Sequence, residues 1–155
     1  MSEVLTMGLR DAITITGQLT VEVHDAETGK LLRRETVRNL VVTVGRNLIR
    51  NLLGGVTSAY PTHFAIGTSS TAPAAGDTAL GGEVLRDQIT QRVYSTGQLT
   101  VKYYLPTGYG NGNTLAEAGI FNAASSGTML SRAVYSAIAK TISIAVTYTW
   151  DITIS

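Results

Sequence analysis

The residues best equipped for proton transfer are two histidines, His24 and His63, and eleven carboxylates, in a chain without cysteine. A Ser–His–Asp triad would need a serine on a sharp turn, and no G-x-S-x-G run occurs. Both histidines fall at expected strand positions, which favours structural or surface roles over general-base work. Paired carboxylates could hydrolyse glycosides in a β-sandwich. The acidic residues expected within sheets are Glu22, Glu83, Asp87, Glu117 and Asp151. Glu22 and Asp151 fall on polar faces and read as solvated. Glu117 has small apolar neighbours in Leu115-Ala116-Glu117-Ala118-Gly119-Ile120-Phe121. It reads as the anchor of a loop or as the partner of Arg86 or Arg132, because structural ion pairs imitate functional sites.

The run Gly108-Tyr109-Gly110-Asn111-Gly112-Asn113 has the glycines of a phosphate loop but no lysine within it and no helix after it. It reads as a flexible hairpin tip that offers Tyr109 as an aromatic contact. No calcium-loop spacing and no metal-ligand cluster appears, so the sequence calls for no cofactor and no enzymatic activity. Arg33, Arg34 and Arg38 lie on one hairpin arm, and Arg46 and Arg50 share a helix face. Nucleic-acid binding would need aromatic stacking partners nearby, and this region has none. A solvated face is the simpler reading; a docking surface for an acidic protein patch is the sharper one. Tyr103, Tyr104 and Tyr109 with a carboxylate would suit a carbohydrate-binding module, although aromatic content is only 6%.

The elements that must position these residues are mostly strands. Ile13, Ile15, Leu19, Val21 and Val23 alternate with Thr14, Thr16, Gln18, Thr20 and Glu22, the period of a half-buried strand. Gly17 interrupts the pattern and predicts a bulge. Asp25–Lys30 is turn chemistry, so Leu31–Arg38 returns as a charged edge strand. Val44, Leu48, Ile49, Leu52 and Leu53 recur at helical spacing, predicting one helix over about 44–53, with Thr43 as N-cap and Gly54-Gly55 as the stop. His63–Gly67 predicts a short buried strand, and Thr68–Gly82 a long loop that is either functional or packed against something. Further strands are expected over Glu83–Thr96, Leu99–Leu105, Thr114–Phe121 and Thr128–Tyr135. In Thr141–Ser155 the residues Ile142, Ile144, Val146, Tyr148, Trp150, Ile152 and Ile154 share one face, which predicts a long central strand with Trp150 buried.

About eight mostly antiparallel strands and one helix define an all-β sandwich or barrel. The expected organisation is an N-terminal arm (1–12), a peripheral hairpin (13–38) and a core (39–155). Composition agrees: roughly a fifth of the 155 residues are Ser or Thr, hydrophobic residues make up 44% and charged ones 15%. A net charge of +1 excludes a globally basic nucleic-acid binder. No apolar run reaches the roughly 18–20 residues of a membrane helix. The start, Met1-Ser2-Glu3-Val4, lacks signal-peptide character, and synthesis and folding in a cytoplasm are expected.

Two blocks carry a resemblance. One is His63-Phe64-Ala65-Ile66-Gly67-Thr68 with Thr71-Ala72-Pro73, Asp77-Thr78-Ala79-Leu80, Glu83 and Arg86. The other is Leu115–Asn122 followed by Leu130-Ser131-Arg132-Ala133, and Asn39–Thr43 fits the same picture. Over about Asn39–Ser155 the chain resembles small structural proteins of tailed bacteriophages, of the head-decoration (cement) and tail-fibre or collar kinds; residues 1–38 fall outside the likeness. The resemblance implies a virion protein, either on the head surface or at the tail. Its partners would be the major capsid protein and itself, as a homotrimer, or tail proteins instead. The contacts implied are Leu5, Leu9 and Arg10 of the arm, Arg33, Arg34 and Arg38 of the hairpin, and Tyr109. Nucleic acid and membrane are not expected partners.

Overall fold

The computed structural model describes residues 11–155. In chain order the elements are β1 (Ile15–Asp25), β2 (Leu31–Arg38), β3 (Leu40–Val41), α1 (Thr43–Leu53), β4 (His63–Gly67), β5 (Glu83–Gln88), β6 (Gln91–Ser95), β7 (Gln98–Leu105), β8 (Thr114–Phe121), β9 (Met129–Ala139) and β10 (Ile144–Ile154). They form two five-stranded sheets, ordered β2-β1-β10-β7-β6 and β3-β9-β8-β4-β5. Every pairing is antiparallel. The all-β sandwich is therefore the fold, with ten strands among the described residues where the pattern suggests about eight.

Alternation decides which side chains meet between the sheets. On the first sheet Leu19, Val21 and Val23 of β1 lie inward with Val146, Tyr148, Trp150 and Ile152 of β10. The outward set is polar: Thr36, Thr20, Thr149 and Lys102 stand side by side across four strands. Thr20 and Thr36 share a hydroxyl hydrogen bond of 2.9 Å, the kind of cross-strand pair that suits β-branched residues on the outer face of a sheet. Phe64 from the second sheet stacks on Tyr103 at 5.1 Å and meets the Trp150 ring edge-on at 5.9 Å. Trp150 is fully buried, as its alternation predicts.

Several expectations need correction. The segment Glu83–Thr96 is two strands in different sheets: β5 borders the second sheet and β6 the first. The chain crosses at Ile89-Thr90, where the Ile89 amide donates to Thr62 O and the Thr90 amide to Lys102 O. Strand β2 likewise crosses at Asn39 into β3. Both edges of the sandwich are thus turned by chain that changes sheets, the corner device of orthogonal β packings. The hairpin placed at the periphery is half inside: β2 is an edge, but β1 pairs with β10 from Ile15 to Asp25 and supplies core residues.

Gly17 makes no bulge, since its register with Ile152 is continuous; the irregularity lies at Val23/His24 against β2. A side chain at Gly17 would instead collide with the Asn39 amide group. Thr43 is already the first helical residue, and the N-cap is Val42, which makes no side-chain cap. Val42 is buried in a second apolar cluster with Ala65, Leu80, Phe121 and Met129, and the Thr43 amide is satisfied by Ala75 O at 2.9 Å. Packing and a loop carbonyl take over the role of the cap. Gly54 ends the helix as expected. The final strand is central but starts at Ile144, leaving Ile142 exposed.

Candidate functional site

The two blocks that carry the resemblance meet in one buried clasp. Glu117 of β8 and Arg132 of β9 project from the outer face of the second sheet, beneath the segment 68–82. Glu117 accepts hydrogen bonds from the amides of Ser69 (3.1 Å), Gly81 (3.0 Å) and Gly82 (2.7 Å). Arg132 donates to Glu117 through Nε at 2.9 Å, to Asp77 at 3.1 Å and to Thr71 O at 2.9 Å. Both side chains are almost fully buried. A carboxylate and a guanidinium in low dielectric are tolerable because their remaining hydrogen-bonding positions are filled by loop backbone. The long loop is packed, one of the two roles its length suggested, and Glu117 anchors it while pairing with Arg132. Arg86 serves a neighbouring turn: it donates to Ala123 O and Ser126 O, pairs with Glu83 at 2.7 Å, and lies 3.7 Å over the Phe121 ring.

Of the implied partner contacts, Leu5, Leu9 and Arg10 lie outside the described residues. Arg33, Arg34, Arg38 and Tyr109 do not form one surface. Arg33 turns toward the second sheet, donating to Ala137 O at 3.0 Å, to Ser136 O and to Glu35. Burial raises the Glu35 carboxyl, but its bonds from Ser136 and the Arg33 charge outweigh this and hold it below its usual value. Arg34 and Arg38 are exposed on the outer face of β2, across from Glu22 and Gln18. Tyr109 is exposed at the opposite end of the sandwich from Arg38.

The tip 106–113 is tied down. Lys140, only 1% exposed, donates from Nζ to Thr107 O (3.1 Å), Asn111 Oδ1 (2.9 Å) and Thr141 O (3.0 Å). Burial lowers its ammonium below the ordinary 10.5. Its position after an alternating strand gave no sign of this role, because a lysine there reads as solvated. Tyr103 is buried and its hydroxyl faces Asp87 at 3.4 Å, so it offers no sugar platform beside Tyr104 and Tyr109. Asp151 is not simply solvated: it accepts from Thr100 Oγ1 at 2.6 Å and from Gln98 Nε2 at 2.9 Å. His63 Nδ1 is 2.8 Å from Thr62 Oγ1. Among the described residues no group of three or more His, Asp or Glu side chains is placed to hold a metal ion.

A cleft of about 620 Å³ opens where β1, the β2–β3 corner and the first turn of α1 meet. Arg38 and Arg46 line it, with Asn39 between them in the chain and Gln18 and Asp151 on the sheet side. It contains no aromatic side chain. The Arg38 guanidinium has no hydrogen-bond partner among the described residues, and Arg46 uses only Nε, toward Val41 O at 3.4 Å. The sequence placed Arg38 and Arg46 on separate elements; the corner at Asn39 brings them to one cleft.

Compared with protein-family models, with curated proteins and with solved structures, the chain matches none.

Proposed function

We propose that the protein is a non-enzymatic virion structural component. In this reading it is a decoration or cement protein that binds the major capsid protein lattice as a small homo-oligomer and stabilises the head. The observation that carries this reading is the clasp. The blocks at 63–86 and 115–133, which carry the resemblance to phage structural proteins, join through Glu117 and Arg132 into one folded unit. The likeness therefore follows a coherent piece of architecture rather than scattered residues. The eight-residue edge strand β2, which carries Arg33, Arg34 and Arg38, is a charged edge of the kind that resists uncontrolled strand addition in a protein packed in many copies. Many weak contacts then sum through multivalency.

The test is copy number and location. Purified particles containing this chain should carry it near-stoichiometrically with the major capsid protein, on the head surface of a particle reconstruction. A handful of copies at the neck or baseplate would replace this reading with a tail collar or fibre protein. Absence from particles would end both.

A further inference from the structure

The cleft beside Asn39 contains two features whose hydrogen-bonding capacity the described residues leave largely unused. First, Asn39 Nδ2 and Oδ1 are both closed off from solvent and have no hydrogen-bond partner among the described residues. A buried amide left unpaired costs about 1–3 kcal/mol, so such a group requires an explanation. Its neighbour Gly17 leaves the room it occupies, since a side chain there would strike it. Second, the cleft is flanked by the Arg38 and Arg46 guanidinium groups, neither in a salt bridge among the described residues. Among the described residues the one carboxylate lining the cleft is Asp151, already hydrogen-bonded to Gln98 and Thr100 and separated from Arg38 by Gln18 across the sheet.

We propose that this cleft is a recognition site for an extended acidic polypeptide segment of a partner protein. A carboxamide presents an N–H donor group and a carbonyl acceptor side by side, the complement of a peptide group. Rotation about its side-chain bonds would turn the Asn39 amide into the cleft to pair with a ligand's main chain. Arg38 and Arg46 then receive carboxylate side chains from the same segment, as planar forks suited to that geometry. A sulfated or uronic glycan would satisfy the arginines only. It would leave the amide without its natural complement and find no aromatic surface to stack on. The site deepens the docking reading above by naming the surface and the chemistry of what it meets.

The experiment uses the full chain and a fluorescein-labelled ten-residue oligoglutamate, with anisotropy read at low and at physiological salt. Saturable, salt-sensitive binding is expected. The double variant Arg38→Gln/Arg46→Gln should weaken it about tenfold or more. Asn39→Ala should weaken oligoglutamate binding several-fold with the salt slope unchanged, while leaving binding of dextran sulfate, an anion without amides, unmoved. Unchanged thermal unfolding would confirm that the variants fold. The proposal is overturned if wild-type protein fails to bind oligoglutamate, if the arginine pair is immaterial, or if dextran sulfate binds as well and Asn39→Ala affects both equally. No particle enters this assay. A chain that binds the peptide but is absent from particles keeps the site and loses the virion reading; the converse loses only the site.

Discussion

Arg132 Nε lies 2.9 Å from Glu117 Oε2, and these two buried charges from adjacent strands hold a loop that begins some fifty residues earlier in the chain. Removing one charge leaves the other uncompensated. Glu117→Ala should therefore destabilise the fold by about 3–5 kcal/mol in denaturant titration. The same change should open the segment 68–82 to limited proteolysis. A loss under about 1 kcal/mol would mean that the pair is not closed to water.

Trp150 tests the core. Trp150→Ala should cost about 3–5 kcal/mol. Trp150→Phe should cost clearly less than Trp150→Ala, because it keeps an aromatic ring in the core and the indole Nε1 has no hydrogen-bond partner among the described residues to lose. Equal losses for the two variants would contradict an unpartnered indole.

Alkaline pH should unfold the protein steeply. Burial pushes the hydroxyls of Tyr135, Tyr148 and Tyr103 above the ordinary 10.0. Above pH 10 the unfolded chain releases these protons and the folded chain keeps them, so stability falls as pH rises. Three such groups give a slope of about 4 kcal/mol per pH unit once the unfolded tyrosines are ionised. Tyr135→Phe should reduce the slope by about one third in unfolding curves taken between pH 9 and 12. Buried Lys140 acts in the opposite sense below 10.5: its lowered value means the folded state sheds a proton first, so its term rises with pH.

Gly45 separates helix propensity from packing. Alanine favours a helix by about 1 kcal/mol over glycine. Here a Cβ would run into the Leu130 backbone carbonyl, which cannot swing aside like a side-chain tip. Gly45→Ala should be net destabilising by about 1–3 kcal/mol, measured by thermal or urea unfolding.

What could be read from the residues, and what could not, follows from the range of each interaction. The alternation of β10 announced its inward face and Trp150, because period two is a local property of a pleated strand. Glu117 stands out in the sequence because small apolar neighbours cannot solvate a carboxylate, and Arg132 is one of two arginines within the same motif blocks able to pair with it. The division of Glu83–Thr96 was illegible, since a strand that changes sheets keeps an extended backbone through the crossing. Gly17 looked like a bulge because the reason for it, the Asn39 amide, arrives from twenty-two residues further along the chain. The cleft was hidden for the same reason: Arg38 and Arg46 gain a common purpose only through the turn at Asn39.

The clasp also sets an order of events during synthesis. Segment 68–82 leaves the ribosome well before Glu117, and translation at about 5–20 residues per second separates them by seconds. Through that interval the amides of Ser69, Gly81 and Gly82 have water, not a carboxylate, as their acceptor. The loop can lock only when β8 and β9 have paired behind it. A chain halted before residue 117 would carry the whole loop and none of what closes it.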